Sequence, residues 1–333
     1  MSGRTGDERV RQYLERAGLP PDTETTSLAG DASTRRYVRV ADPTRGPLML
    51  LVHPEPIDPE TLPFLNVVEL LERMDVRVPA ILGSEPDLGI LVIEDLGDVT
   101  LQDYLKDASD DDKTRRYAEA VALIGRMQQG GRTFVSSRYQ PFGLAFDVEK
   151  LLWELDFFLE HFVVQYRSMA LPADRRSALR DEFELLASEL AAEPRVFCHR
   201  DYHSRNLMWH GRELCVIDFQ DARLGPDSYD LVSLLRDSYV DHGRDFVDQM
   251  IDAFLSLIPD AGRRDFGRRF DVMSVQRHLK ALGTFGYQAA VTGTTRYEGD
   301  VPRTLAYLLD VFERRSRFDR LRGLLAPSIP ELG

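Results

Sequence analysis

Residues 196–219 read VFCHRDYHSRNLMWHGRELCVIDF. The stretch holds His199-Arg200-Asp201-x-x-x-x-Asn206 and then an apolar run that stops at Asp218-Phe219. Taken singly, Asp201 and Asn206 are ordinary turn residues and Asp218 an ordinary strand end. Set together between two short strands, they are a working set. Asp201 supplies a carboxylate that can orient a hydroxyl and take its proton. Asn206 and Asp218 supply the hard oxygen donors that suit Mg2+, an ion that neutralises charge between phosphates. This spacing is the one that phosphoryl transfer uses.

Upstream, residues 28–40 read as a strand, a turn centred on Gly30 and Asp31, and a second strand from Arg35 to Val40. In the latter, Arg35, Tyr37 and Arg39 alternate with Arg36, Val38 and Val40. Residues 48–52 are a continuous apolar run closed by the proline-rich 53–59, which predicts a third, buried strand. Phe64, Val67, Val68, Leu71 and Met74 recur at helical spacing, and residues 89–94 (GILVIE) form another apolar strand stopped by Asp95-Leu96-Gly97-Asp98. The first third is therefore expected to be a mostly antiparallel sheet with one helix. From Thr100 the pattern turns helical, with an aromatic-rich helix over 148–167, and only the 196–218 strands interrupt it. The fold class expected is α+β in two parts, residues 1–97 and 98–333.

The chain has 333 residues with 42 basic and 55 acidic side chains, a net charge of −13. That balance argues against sequence-independent nucleic-acid binding, which needs cations to displace counterions from phosphates. Two cysteines, Cys198 and Cys215, lie in apolar runs and exclude a disulfide framework. No stretch reaches the roughly 18 apolar residues of a membrane span, and the polar N-terminus lacks a leader pattern. The expected address is the cytoplasm. Only four of the basic residues are lysines (Lys106, Lys113, Lys150, Lys280), and none precedes Lys106.

His199 to Asn206, Ile217-Asp218-Phe219 and Gly225-Pro226-Asp227-Ser228-Tyr229-Asp230-Leu231 resemble the aminoglycoside phosphotransferase and choline kinase-like superfamily, whose fold is the bilobal protein-kinase fold. Residues 28–37 (LAGDASTRRY) and 276–280 (QRHLK) resemble more narrowly the anomeric N-acetylmuramate/N-acetylglucosamine kinases of bacterial cell-wall recycling. The resemblance runs from about Leu28 to about Leu309. It implies a small sheet lobe and a mainly helical lobe, with ATP and Mg2+ as cofactors. Asp201 would be the catalytic base and Asn206 with Asp218 the metal ligands. The Glu94 carbonyl and Leu96 amide would meet the adenine edge at a hinge, and Asp230 would buttress the catalytic loop.

The chain departs from the protein-kinase pattern in one respect: residues 48–52 offer no lysine to the nucleotide phosphates, and no G-x-G-x-x-G loop is present. Arginine is the available substitute, because its planar fork holds phosphate oxygens in pairs. Strand parity puts Arg36 on the Val38 and Val40 face. It is therefore expected to point to the inner cleft, helped by backbone amides of the Gly30 to Ser33 loop, with Arg35 and Arg39 facing solvent.

For the acceptor, the candidate contacts are Asp221, Arg277, His278, Lys280 and the aromatic helix. His203 either touches substrate or stabilises its loop, and Asp221 either lies near the metal or caps a turn. Arg277 and His278 point about 100° apart on a helix, so one of the two is expected to face the site. The arginine and lysine near residue 280 favour a neutral or anionic N-acetyl sugar over a polycationic aminoglycoside. The expected reaction is ATP-dependent phosphorylation of the anomeric hydroxyl of an amino sugar, with no nucleic acid, membrane or obligate protein partner. An aminoglycoside or other small-molecule hydroxyl phosphotransferase and a nucleotide-binding pseudokinase are the alternatives.

Overall fold

The computed structural model describes residues 2–28 and 35–333, with the backbone alone for residues 2–7 and 260–261. Gly30 and Ser33 therefore lie outside the described residues. The chain divides into two compact units, Met1–Val99 with Met208–Gln220, and Thr100–Leu207 with Asp221–Gly333. The return of Met208–Gln220 to the first unit is new, because chain order alone placed that segment with the helices.

In the first unit, helix α1 (Ser2–Arg16) precedes strands β1 (Thr25–Leu28), β2 (Arg36–Asp42) and β3 (Gly46–Val52). Helix α2 (Pro63–Arg73) and strands β4 (Ile81–Glu85) and β5 (Ile90–Glu94) follow. The five strands form one antiparallel sheet in the order β1-β2-β3-β5-β4. The apolar run of β3 is buried from Leu48 to Val52 because both of its edges are paired and both faces covered. Val38, Val40, Leu48, Leu50, Val52, Ile90 and Val92 form one core with Val10, Tyr13 and Leu14 of α1. The sequence reading had not expected α1.

That packing corrects the assignment of Arg36. It does share a face with Val38 and Val40, but that face is the one α1 covers, and Arg36 reaches Ser27 Oγ of β1 at 3.4 Å. Arg39, expected in solvent, lies on the opposite face. There its guanidinium grips Asp95 at 2.5 and 2.9 Å and Asp98 at 2.9 and 3.1 Å. Asp95 is buried, so Arg39 ties β2 to the segment that follows β5.

Leu207–His210 and Glu213–Val216 form a two-stranded hairpin. Gly211 and Arg212 both have positive φ (60° and 72°), as a two-residue turn of type I′ requires. In the first unit Met208 and Cys215 of this hairpin pack against Leu96.

The second unit is mainly helical: α3 (Leu101–Tyr104), α4 (Asp110–Thr133), α5 (Val148–Phe158), α6 (Ala173–Ala191), α7 (Tyr229–Leu235), α8 (Arg244–Leu257), α9 (Asp260–Arg263), α10 (Phe266–Tyr287), α11 (Val301–Arg314) and α12 (Asp319–Leu325). The aromatic helix is α5 continued by a π-helical stretch, Leu159–Tyr166. Its Phe158 and Phe162 are wholly buried, Phe157 and Tyr166 are half-buried and Trp153 is exposed, so only one edge of the stripe is core. Arg195–Cys198 pairs antiparallel with Arg223–Pro226 and delivers the chain into the 199–206 loop. Among the described residues no helix is long and apolar enough to cross a membrane.

Candidate active site

The loop that follows Cys198 is built around a strained residue. Arg200 has φ of 89°, a region that non-glycine residues rarely occupy and that surrounding contacts must hold. Asp230, at the start of α7, supplies them: its carboxylate accepts from the backbone N–H of His199 at 2.7 Å and of Arg200 at 3.0 Å. The Arg200 carbonyl accepts from Arg277 Nη1 at 3.0 Å. Both ends of the strained residue are thus pinned, and the next side chain, Asp201, is fixed in direction. Burial pushes the Asp230 carboxyl up, against its contacts with His199 and Arg200.

Past Asp201 the chain turns back on itself. The Asp201 carbonyl accepts from His203 N–H at 3.1 Å and from Asn206 Nδ2 at 2.9 Å. Asp237 accepts from both the N–H and the hydroxyl of Ser204, at 3.0 and 2.5 Å. Asn206 is therefore held through its amide nitrogen, which fixes the orientation of its carboxamide.

Three cations surround the Asp201 carboxylate. Lys280 Nζ donates to Oδ1 at 2.9 Å, Arg277 Nη1 lies 3.6 Å from the same oxygen, and Arg200 Nε lies 3.7 Å from Oδ2. Burial opposes the charge on Asp201, but Lys280, Arg200 and Arg277 outweigh it and hold the carboxyl well below the usual range. Arg277 also donates to the Tyr229 hydroxyl at 3.0 Å and lies over its ring, which stacks on Phe146 at 4.3 Å.

A cavity of about 290 Å3 opens beside this carboxylate, lined by Asp201, His203, Asp237, Tyr239, Arg277 and Lys280 among others. That is at the small end of the roughly 300–1,000 Å3 range of small-molecule sites. The Tyr239 ring meets His203 edge-on at 5.3 Å and carries the Arg205 guanidinium 3.6 Å from its centroid.

The remaining sequence candidates separate clearly. His278 is buried, its Nε2 lies 3.2 Å from the Arg236 carbonyl, and burial pushes its ring down to about 3. Of the adjacent pair, Arg277 is the one that reaches Asp201. His203 lies against the loop and the cavity at once, and burial lowers its pKa. Asp221 is half exposed and pairs with Arg200 at 3.3 Å.

In the first unit, Asp218 also has positive φ, 62°, and its Oδ1 accepts from Gln220 Nε2 at 2.8 Å. Phe219 packs on Phe64 of α2 with ring centroids 4.9 Å apart. The Glu94 carboxylate is held by Arg77 at 2.6 and 2.7 Å and by the Ala80 N–H, and the Leu96 carbonyl lies 3.1 Å from His210 Nδ1.

Sequence reasoning missed Asp237, Tyr239 and the buried Glu154. Asp237 carried no motif, Tyr239 sits in an irregular segment, and Glu154 was hidden among the aromatics of α5.

A model described as the phosphotransferase enzyme family matches residues 24–266. The chain belongs to that family. It is 32% identical over 324 residues to a Neisseria meningitidis serogroup B protein named N-acetylmuramate/N-acetylglucosamine kinase, covering 95% of this chain and 94% of that one. A protein of the same name from Pseudomonas aeruginosa is 32% identical over 320 residues, covering 94% and 91%. Among solved structures, ADP-bound aminoglycoside phosphotransferase APH(2'')-Ib superposes with a TM-score of 0.59 at 14% identity, covering 92% of this chain and 98% of that one. Amicoumacin kinase hAmiN, in complex with AMP-PNP, Ca2+ and Ami, gives 0.61 at 15%, covering 94% and 96%. These likenesses place the fold with the protein-kinase-like phosphotransferases.

Proposed function

We propose that this phosphotransferase moves the γ-phosphoryl group of ATP to the anomeric hydroxyl of N-acetylglucosamine, N-acetylmuramate or both, giving the sugar 1-phosphate. The observation that carries the reading is the Lys280, Arg277 and Arg200 cluster around Asp201, beside a cavity with an aromatic wall at Tyr239. A polycationic aminoglycoside would bring its ammonium groups against these three cations. A neutral N-acetyl sugar does not, and the carboxylate of N-acetylmuramate is attracted. The relatives named for these two sugars support the same acceptor class.

Asp201 accepts the hydrogen bond of the acceptor hydroxyl and aims its oxygen at the phosphorus. A carboxylate held by three cations is a poor proton acceptor. The anomeric hydroxyl, acidified by the neighbouring ring oxygen, is the sugar hydroxyl that demands least of it. The proton passes to Asp201 as the new O–P bond forms and the bond from the γ-phosphorus to the bridging oxygen breaks, releasing ADP. Asn206 and Asp218 each carry an oxygen donor that would suit Mg2+, a fit supported by the donor chemistry and by the anchoring of the Asn206 amide through its nitrogen. When bound, the ion neutralises charge on the nucleotide phosphates. The Glu94 carbonyl and Leu96 amide would meet the adenine.

The test is ADP release from MgATP in the presence of N-acetylglucosamine, N-acetylmuramate, glucosamine, glucose, kanamycin or choline, each alone. The reading expects release with the N-acetyl sugars above the water background; preferential release with kanamycin or choline rejects it.

A further inference from the structure

α10 carries Arg277 and Lys280 three residues apart, hence on one face, and that face meets the 199–206 loop. The two side chains do different things. The hydrogen bonds of Arg277 go to the Arg200 carbonyl and the Tyr229 hydroxyl, so it holds the backbone of the loop. Arg200 directs its Nη1 toward Asp221, and its Nε stays 3.7 Å from Asp201 Oδ2, beyond hydrogen-bond reach. Lys280 donates to the reacting carboxylate itself, with Nζ 2.9 Å from Asp201 Oδ1 and its side chain only 16% exposed.

The helix beneath Lys280 is fixed with unusual closeness. A Cβ at Gly283 would lie 2.9 Å from Phe158 Cα, and one at Gly286 would lie 2.5 Å from the His161 carbonyl oxygen. α10 and the α5 helix with its π continuation are therefore in backbone contact, which only glycine permits. On the same face of the problem, Glu154 of α5 is buried, and Gln276 Nε2 donates to its Oε2 at 2.8 Å. Its charge acts favourably on Lys280 and Arg277. The hydrogen bond to Asp201 thus holds the ammonium on a rigid element.

We propose that Lys280 is the positioning residue of Asp201: its ammonium holds Oδ1 and leaves Oδ2 directed at the acceptor hydroxyl. This rests on the phosphotransferase reading of Asp201, not on the identity of the sugar. A flexible lysine with no such task would gain little from burial, since desolvation of its charge opposes the contact. Because Lys280 also lines the cavity, an entering acceptor meets a carboxylate whose rotation is already stopped.

Three variants, Lys280→Met, Lys280→Arg and Lys280→Ala, test it with MgATP and N-acetylglucosamine. Lys280→Met keeps the stem and removes the charge; kcat should fall about 10²-fold while the KM for ATP stays within about threefold, the signature of a misaimed group. Lys280→Arg should recover part of kcat, and adding n-propylammonium to Lys280→Ala should restore turnover in a saturable way. A structural role alone gives no response to a free amine.

Lys280→Met with more than about a third of wild-type kcat overturns the proposal, since lost aim costs far more. So does a loss that neither arginine nor the amine restores. Wild-type protein inactive on both N-acetylglucosamine and N-acetylmuramate counts against the sugar reading alone. ADP release to water then provides the same comparison for Lys280.

Discussion

Glu193 ends the turn after α6, just before the strand that leads into the catalytic loop, and it is 7% exposed. Neither carboxylate oxygen has a hydrogen-bond partner among the described residues. Burial, reinforced by the charge of Asp227 and opposed by Arg269 and Arg268, pushes its carboxyl from 4.5 up to about 8. The fold therefore accepts the neutral form, while the unfolded chain ionises normally. The contribution to stability is fully present below pH 4.5 and is lost as pH rises through about 8. Each pH unit inside that window weighs about 1.4 kcal/mol, so between pH 5 and pH 8 the wild type should lose on the order of 4 kcal/mol from this group. Glu193→Gln keeps the shape and cannot ionise. Urea denaturation of both proteins at pH 5, 6, 7 and 8, followed by circular dichroism, reads the difference directly. The variant should gain on the wild type steadily as pH rises. A difference that is flat across the series, or that narrows with pH, would refute the reasoning.

Two further outcomes follow from the loop geometry. Asp201→Asn should lower turnover by roughly 10³-fold while ADP affinity, measured by calorimetry, changes less than about threefold, because the side chain serves the acceptor hydroxyl. Asp230→Ala strips the acceptor from one buried and one part-buried N–H group, at about 1–3 kcal/mol for the buried one and less for the other, so it should destabilise by on the order of 2–4 kcal/mol. Hydrogen exchange at His199 and Arg200 should speed up in that variant more than exchange across α8, and uniform exchange would contradict the bracing role.

The 199–206 loop and its hairpin stood out in the sequence because their residue types sit at fixed local spacing, and local spacing is what a sequence displays. β3 and β5 were legible as uninterrupted apolar runs, which buried central strands require. α1 was not, because Val10, Tyr13 and Leu14 are a thin apolar stripe on an otherwise polar segment. Parity correctly grouped Arg36 with Val38 and Val40, yet it says nothing of what covers a face, and the cover proved to be α1. Arg39 could not be read either, since its partners Asp95 and Asp98 lie across the sheet. Lys280 stood among the candidates for the acceptor, but its contact with Asp201 spans 79 residues and exists only once α10 is packed. His278, its near neighbour on the same helix, also lines the cavity, but its Nε2 is engaged with the Arg236 carbonyl, a tertiary contact of the same kind.

The central claim is that the phosphoryl group reaches the anomeric oxygen of an N-acetyl amino sugar. Phosphorus NMR of the product formed from MgATP and N-acetylglucosamine tests it most directly. The account predicts a new phosphate signal coupled to the single anomeric proton, absent when Asp201→Asn replaces the wild type. A signal coupled to the two protons of C6, or a phosphorylated aminoglycoside in place of a phosphorylated sugar when kanamycin competes, would contradict it.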